Sequence, residues 1–247
     1  LGRLSRLTAG HNPAYETALK RALVYLDSEI ARDFFELKKY NKKYLTESCT
    51  GNMQLFYLHL RSEFSQYPIH VSATEAVRYY TEQSEKYWTS YSLYGKAMMA
   101  VVAHRNGKIS IAQSILRSLR ENALQTDEMG MYWAKNTAGY FWNERPVAVQ
   151  AAIIEAFSET GSTTAELDEL KIWLLKQKQT QRWDSPIATV NAVYALLMQG
   201  NNWLSNNGDV QLQYGTQTLH TSPVEAGTGY IKTSVSGKDI KRDMGQI

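Results

Sequence analysis

The sequence predicts a mainly α protein, an array of antiparallel helical hairpins with the beginning of a β domain at its C-terminal end. Three observations carry this. Apolar residues recur at 3.6-residue spacing in one segment after another, each bounded by its own start and stop residues. The segments are joined by short connections, as antiparallel neighbours require. From about Asn206 the helical period gives way to alternation.

The first clear helix opens at Asn12-Pro13, where Asn can accept the free N–H groups and Pro suits the first helical position. Its stripe is Leu19, Ala22, Leu23, Leu26, Ile30 and Phe34. The lysine-rich run Lys38 to Lys43 follows, read as a solvated connection because charge runs usually face water. A second helix spans about Asn52 to Phe64, and Pro68 closes that unit. Ser72-Ala73-Thr74-Glu75 has the form of a capping box for a helix with Ala76, Val77 and Tyr80 inward. From Ser90, the stripe Leu93, Ala97, Met98, Val101 and Val102 runs to Asn106-Gly107, a pair that suits a left-handed cap, and Ile109 to Leu124 repeats the pattern. Pro146 opens a helix through Phe157 that Gly161 closes, and Thr163-Thr164-Ala165-Glu166 caps the next through Lys178. Ser185-Pro186 opens one more, ended by Gly200, for about nine helices if a short piece ahead of Gly10 is counted.

Beyond that point Val210 to Tyr214, continuing to Thr218-Leu219-His220, and Tyr230 to Val235 read as strands. The expected division is therefore 1–204, helical, and 205–247, the first strands of an adjoining β-sandwich-type domain. A chain that opens on Leu1 and ends on Ile247 in strand material reads as a fragment of a larger protein.

The helices also repeat. Pro146-Val147-Ala148 aligns with Pro186-Ile187-Ala188, Ala152 falls on Ala192, and Trp142 and Trp183 stand ahead of their helices within one position of each other. Trp88 stands ahead of a third. Small inward residues allow close helix approach while a tryptophan plugs each hairpin end; similarity between Ala-rich helices is the competing explanation.

Composition excludes several classes. With 43% hydrophobic residues, 247 residues can bury a sizeable core unaided. A formal charge of +3 on a chain that is 21% charged is too small and dispersed for a nucleic-acid footprint. No apolar run reaches the length of a bilayer span, so direct membrane insertion is not expected. Cys49 is the single cysteine, which rules out an internal disulfide or a cysteine-rich zinc site. The five histidines, His11, His59, His70, His104 and His220, show no HExxH or other paired spacing. No nucleophile elbow or phosphate loop is present, since Gly95-Lys96 and Gly107-Lys108 lack the preceding glycine and the Ser/Thr. No catalytic, cofactor-binding or metal-binding residue is therefore assigned.

Residues Lys178 to Thr189, followed by Ala192 to Leu197, resemble the last hairpin of the thioester domain in bacterial alpha-2-macroglobulin family proteins. Asp127 to Trp133, Gly139 to Trp142 and Ile172 to Gln177 also resemble segments of that family's envelope-anchored members. The resemblance implies an α/α toroid, here incomplete, like that of complement thioester domains. It further implies a noncatalytic structural module of a protease trap in the bacterial periplasm or envelope. Its partners would be the neighbouring β domains and, through the full-length protein, proteases. The family's thioester needs a cysteine followed two residues on by Glu-Gln; Cys49-Thr50-Gly51-Asn52-Met53-Gln54 has no such pair. Cys49 is thus read as a loop thiol or a small buried hydrophobe, the loop favoured by Thr50-Gly51.

A second class is a carbohydrate-active enzyme or binding module on the same kind of toroid. It would use the acidic and aromatic stretch Asp127, Glu128, Trp133, Tyr140, Phe141, Trp142 and Glu144, because paired carboxylates and aromatic platforms serve sugars. The plainer reading is that the rings plug hairpin ends and the acids cap helices.

Overall fold

The computed structural model describes residues 2–3, 13–139, 144–180, 183, 185–198, 211–214, 217–220, 236–241 and 244. Its chain divides into two compact units, Leu1–Gly200 and Asn201–Ile247. The protein is mainly helical, as its periodicity predicts. Among the described residues there are eight α-helices: α1 (Pro13–Tyr40), α2 (Asn52–Glu63), α3 (Thr74–Tyr87), α4 (Leu93–Arg105), α5 (Ile109–Glu121), α6 (Pro146–Glu159), α7 (Thr164–Thr180) and α8 (Pro186–Leu197).

The helices of the first unit fall into two sets. Helices α2, α4, α6 and α8 pack side by side in that order, each against the next but one in the chain. They form an inner row. The row is apolar because its members are covered on most sides: nine residues from Tyr94 to Ala103 on α4 and twelve from Val147 to Ser158 on α6 are buried. Ala97, Ala100, Ala156, Ala192 and Ala195 are fully buried there, and their short side chains let the helix axes come close. Helix α5 shows the opposite design, a single buried stripe of Ala112, Ile115, Leu116 and Leu119 set against α4.

Local chemistry sets most boundaries. Ser92 Oγ accepts from Gly95 N at 3.2 Å to start α4, and Ser185 Oγ accepts from Ala188 N at 3.1 Å to start α8. Thr163 Oγ1 accepts from Glu166 N ahead of α7. Gly107 and Gly161, at φ +74° and +87°, close α4 and α6 as left-handed caps. Two expectations are corrected. Helix α1 continues through Tyr40, so Lys38 and Lys39 lie in its last turn, where cations suit the carbonyl end of the helix dipole. Ser72 does not cap α3: Val71–Ala73 form a 3₁₀ turn, and His70 Nδ1, which is 2.8 Å from Ser72 Oγ, accepts the Ser72 N–H. The expected cap at Asn12 and the stop at Gly200 lie outside the described residues, as does Trp142. Trp88 and Trp183 stand ahead of α4 and α8, half-buried against the core.

Buried polar groups tie the start of the array together. Asp27, on α1, accepts from Tyr57 Oη at 2.7 Å and from the His70 N–H at 2.8 Å, and lies 3.3 Å from Arg61 Nε. Phe34, Tyr44, Tyr79 and Tyr80 pack ring against ring beside α1 and α3, Phe34 edge to face with Tyr44 and Tyr80 and tilted against Tyr79.

A β-hairpin not expected from the sequence interrupts the helices. Strands β1 (Leu124–Thr126) and β2 (Gly130–Tyr132) pair antiparallel with Thr126 opposite Gly130, joined by Asp127-Glu128-Met129. Gly130 at φ +64° supplies the left-handed residue that a three-residue hairpin loop needs. The buried Gln150 of α6 fixes the hairpin, its Nε2 donating to Met131 O at 2.9 Å and to Leu170 O at 3.0 Å.

In the second unit, β3 (Gln211–Tyr214) and β4 (Gln217–His220) form an antiparallel hairpin with Leu212 opposite Leu219. The expected strand Tyr230 to Val235 lies outside the described residues.

Candidate functional site

The residues singled out in the sequence separate in space. Asp127 and Glu128 sit exposed on the β1–β2 turn. Trp133 points the other way, 3% exposed, with Nε1 donating to Leu119 O at 2.9 Å. Its ring is a core plug rather than a platform. Glu144 is half-buried, and its backbone carbonyl accepts from Gly139 N. Tyr140, Phe141 and Trp142 lie outside the described residues.

Cys49 is a free thiol, half-buried in the connection between α1 and α2, with Asn41 Nδ2 at 3.4 Å from its sulfur. Gln54, the nearest glutamine downstream, is committed elsewhere. Its Oε1 accepts from Gly51 N at 2.9 Å and its Nε2 donates to Asp33 Oδ2 at 2.9 Å, so its amide caps α2 and bridges to α1. The loop reading of Cys49 fits this placement.

The constellation that the fold does assemble was not singled out from the sequence. It lies on the inner row, at a cavity of about 630 Å³ whose walls include Phe56 and Leu60 of α2, Met98 and Val101 of α4, and Ile187 and Val190 of α8. Beside these apolar walls is an ionic cluster. Glu155 of α6, 3% exposed, takes Arg3 Nη2 at 2.8 Å on one carboxylate oxygen and has Arg105 Nη2 at 3.6 Å and His59 Nε2 at 3.7 Å on the other. Arg105, at the end of α4, binds Glu159 through two hydrogen bonds, Nε to Oε2 at 2.8 Å and Nη2 to Oε1 at 2.6 Å. It also meets Glu63 at 2.9 Å and Ser62 Oγ at 3.1 Å. The bidentate fork suits a planar guanidinium. Arg3 further donates to Asn191 Oδ1 and lies over the Tyr194 ring at 4.8 Å.

In this cluster two guanidinium groups, of Arg3 and Arg105, face three carboxylates, of Glu63, Glu155 and Glu159. Glu155 is held between the two guanidinium groups, Arg3 on one carboxylate oxygen and Arg105 on the other. Burial pushes the His59 imidazole down to about 4; Arg105 and Arg3 act the same way, opposed by Glu155 and Glu159. Ser62 Oγ donates to the His59 backbone carbonyl at 2.7 Å, and no cysteine thiol or serine or threonine hydroxyl is hydrogen-bonded to the His59 ring among the described residues. No group of three or more His, Cys, Asp or Glu side chains there is placed to hold a metal ion. No described helix is long and apolar enough to cross a membrane.

Family models, curated proteins and solved structures give no match to this chain.

A pH dependence follows from His59. In the unfolded chain its ordinary value is 6.5, and in the folded chain about 4. Below 6.5 the unfolded state therefore takes up a proton that the folded state refuses. Stability contributed by neutral His59 is complete above 6.5 and falls between 6.5 and about 4, by about 2 kcal/mol once its partial access to the cavity is allowed for. Urea unfolding at a series of pH values on wild type and His59→Phe checks this, the variant lacking that part of the slope.

The sequence did carry a signal for the cluster. His59 and Glu63 are four apart on α2, Glu155 and Glu159 four apart on α6, and Glu155 interrupts an otherwise apolar helix. A charge in such a helix needs a partner.

Proposed function

We propose that this chain is a noncatalytic structural module of an alpha-2-macroglobulin-like protease trap of the bacterial envelope, its helices forming an incomplete α/α toroid. The observation that carries the proposal is the inner row: helices alternate along the chain between a row of mutual neighbours, α2, α4, α6 and α8, and a second set packed around it. That winding is what a toroid of paired helices requires. A structural role is supported by the inner row's buried faces, which are packed largely with alanine and aliphatic side chains, and by its buried charges, which are committed to one another.

The sugar-processing alternative has less to stand on. It requires Asp127, Glu128 and the rings to converge, whereas Trp133 is committed to the core and the two acids to an exposed turn.

In this reading the module works by holding neighbouring β domains of the same protein in place, and it meets proteases only as part of the whole trap. The chain alone neither inhibits a protease nor couples to an amine. Cys49 is a free thiol with no Glu-Gln two residues on, so there is no acyl–sulfur bond for an amine to open. Intact-mass measurement before and after methylamine is expected to give one unchanged mass, with one thiol titratable throughout. A methylamine adduct accompanied by a newly released thiol would reject the reading of Cys49. Loss of a protease's activity toward a protein substrate on mixing with this chain alone would reject the noncatalytic, dependent role.

A further inference from the structure

Arg3 is held in a way that its neighbours on the inner row make specific. Its guanidinium meets three groups from two helices: the Glu155 carboxylate of α6, the Asn191 amide oxygen of α8, and the face of Tyr194 one turn further along α8. All three are buried, at 3%, 8% and 4% exposure, whereas the Arg3 side chain is 36% exposed. The receptor is thus interior and the ligand peripheral. A carboxylate and a carbonyl oxygen accept from two different Nη atoms, and an aromatic face covers the planar cation. An ammonium is a compact point charge without the planar fork that spans two separate acceptors while lying on a ring. Adjacent to Arg3, Gly2 sits against Glu63 of α2, where an added Cβ would lie 2.7 Å from Glu63 Cγ. The segment therefore touches α2 at one residue and α6 and α8 at the next.

We propose that Glu155, Asn191 and Tyr194 form a guanidinium-binding pocket on the inner row, with Arg3 as its resident ligand, so that one arginine bridges the neighbouring helices α6 and α8 and holds Gly2 against α2. The pocket recognises the guanidinium group itself, so it accepts the same group from a small molecule when Arg3 is removed. This rests on the contacts of these residues and is independent of the protease-trap reading.

Arg3→Ala with added ethylguanidinium is the test. Loss of two charge-assisted hydrogen bonds lowers the folding equilibrium constant by about tenfold to a hundredfold. Ethylguanidinium then raises the Tm of the variant saturably at concentrations that leave wild type unchanged. Ethylammonium at the same ionic strength does not, and Arg3→Lys recovers only a minor part of the loss. In the Arg3→Ala/Glu155→Gln double variant the ethylguanidinium response disappears. Equal rescue by ethylammonium, or rescue that survives Glu155→Gln, would overturn the proposal, as would an Arg3→Ala variant of unchanged stability. A measurement on wild type stands apart from any folding defect: restricted rotation of the bound guanidinium should give separate Nη resonances for Arg3 in nitrogen-edited NMR. A single averaged signal for that side chain would equally refute the pocket.

Discussion

Gly130→Ala is expected to destabilise the protein by about 3 to 4 kcal/mol, among the largest effects of any single methyl group in the chain. Two costs combine. At φ +64° a Cβ is strained in the left-handed region, and here it would also overlap the backbone carbonyl oxygen of Glu169 and lie 2.9 Å from Ile172 Cβ on α7. A flexible side chain could turn aside; a helix carbonyl cannot. Gly107→Ala and Gly161→Ala are the controls, because both glycines have positive φ but nothing within 4 Å of an added Cβ. Each should cost only about 1 kcal/mol, the conformational part alone. Urea unfolding of the three variants checks the ranking. Equal losses at all three positions would mean that β2 does not lie against α7 as described.

Arg105→Met should cost about 3 to 5 kcal/mol, because it removes the cation from a cluster of carboxylates that are themselves mostly buried. Glu159 loses a bidentate partner at 2.6 and 2.8 Å, Glu63 an ion pair at 2.9 Å, and Glu155 one of its two guanidinium neighbours. The methionine side chain fills part of the volume but none of the charge. The second variant Glu159→Gln should then cost less in the Arg105→Met background than in wild type, a coupling read from a double-mutant cycle. Additive losses would show that the pair is solvated and contributes little.

The two predictions draw on parts of the molecule that were unequally legible in the sequence. The starts of α6 and α8 and the ends of α4 and α6 could be read because local chemistry sets them: Pro146 and Pro186 at first helical positions, Ser185 as a cap, Gly107 and Gly161 with positive φ, whereas α4 starts after its cap Ser92 and not at Ser90, which lies in a 3₁₀ turn. The start of α3 could not, since His70, outside the Ser72-Ala73-Thr74-Glu75 pattern, takes the Ser72 N–H that a capping box would leave to its own residues. Hairpin β1–β2 escaped periodicity because its strands are three residues long and all of β1 is exposed. Its one local signature was Asp127-Glu128-Met129-Gly130. The inner-row cluster is a different matter. Arg3, His59, Arg105, Glu155 and Asn191 are spread over most of the chain, and only the packing of α2, α4, α6 and α8 side by side brings them together. Sequence spacing showed which charges share a helix face, not which helices meet.

If, as proposed, this helical array serves a larger trap and does no chemistry of its own, a protein that carries the array together with a bait region and β domains should enclose a protease. A serine protease is mixed with an excess of that protein, and its activity is followed on a small chromogenic peptide and on a large protein substrate. Enclosure predicts that cleavage of the small peptide persists while cleavage of the large substrate falls by at least about tenfold, the scale of a clear steric block. Unchanged activity toward both substrates would contradict the account.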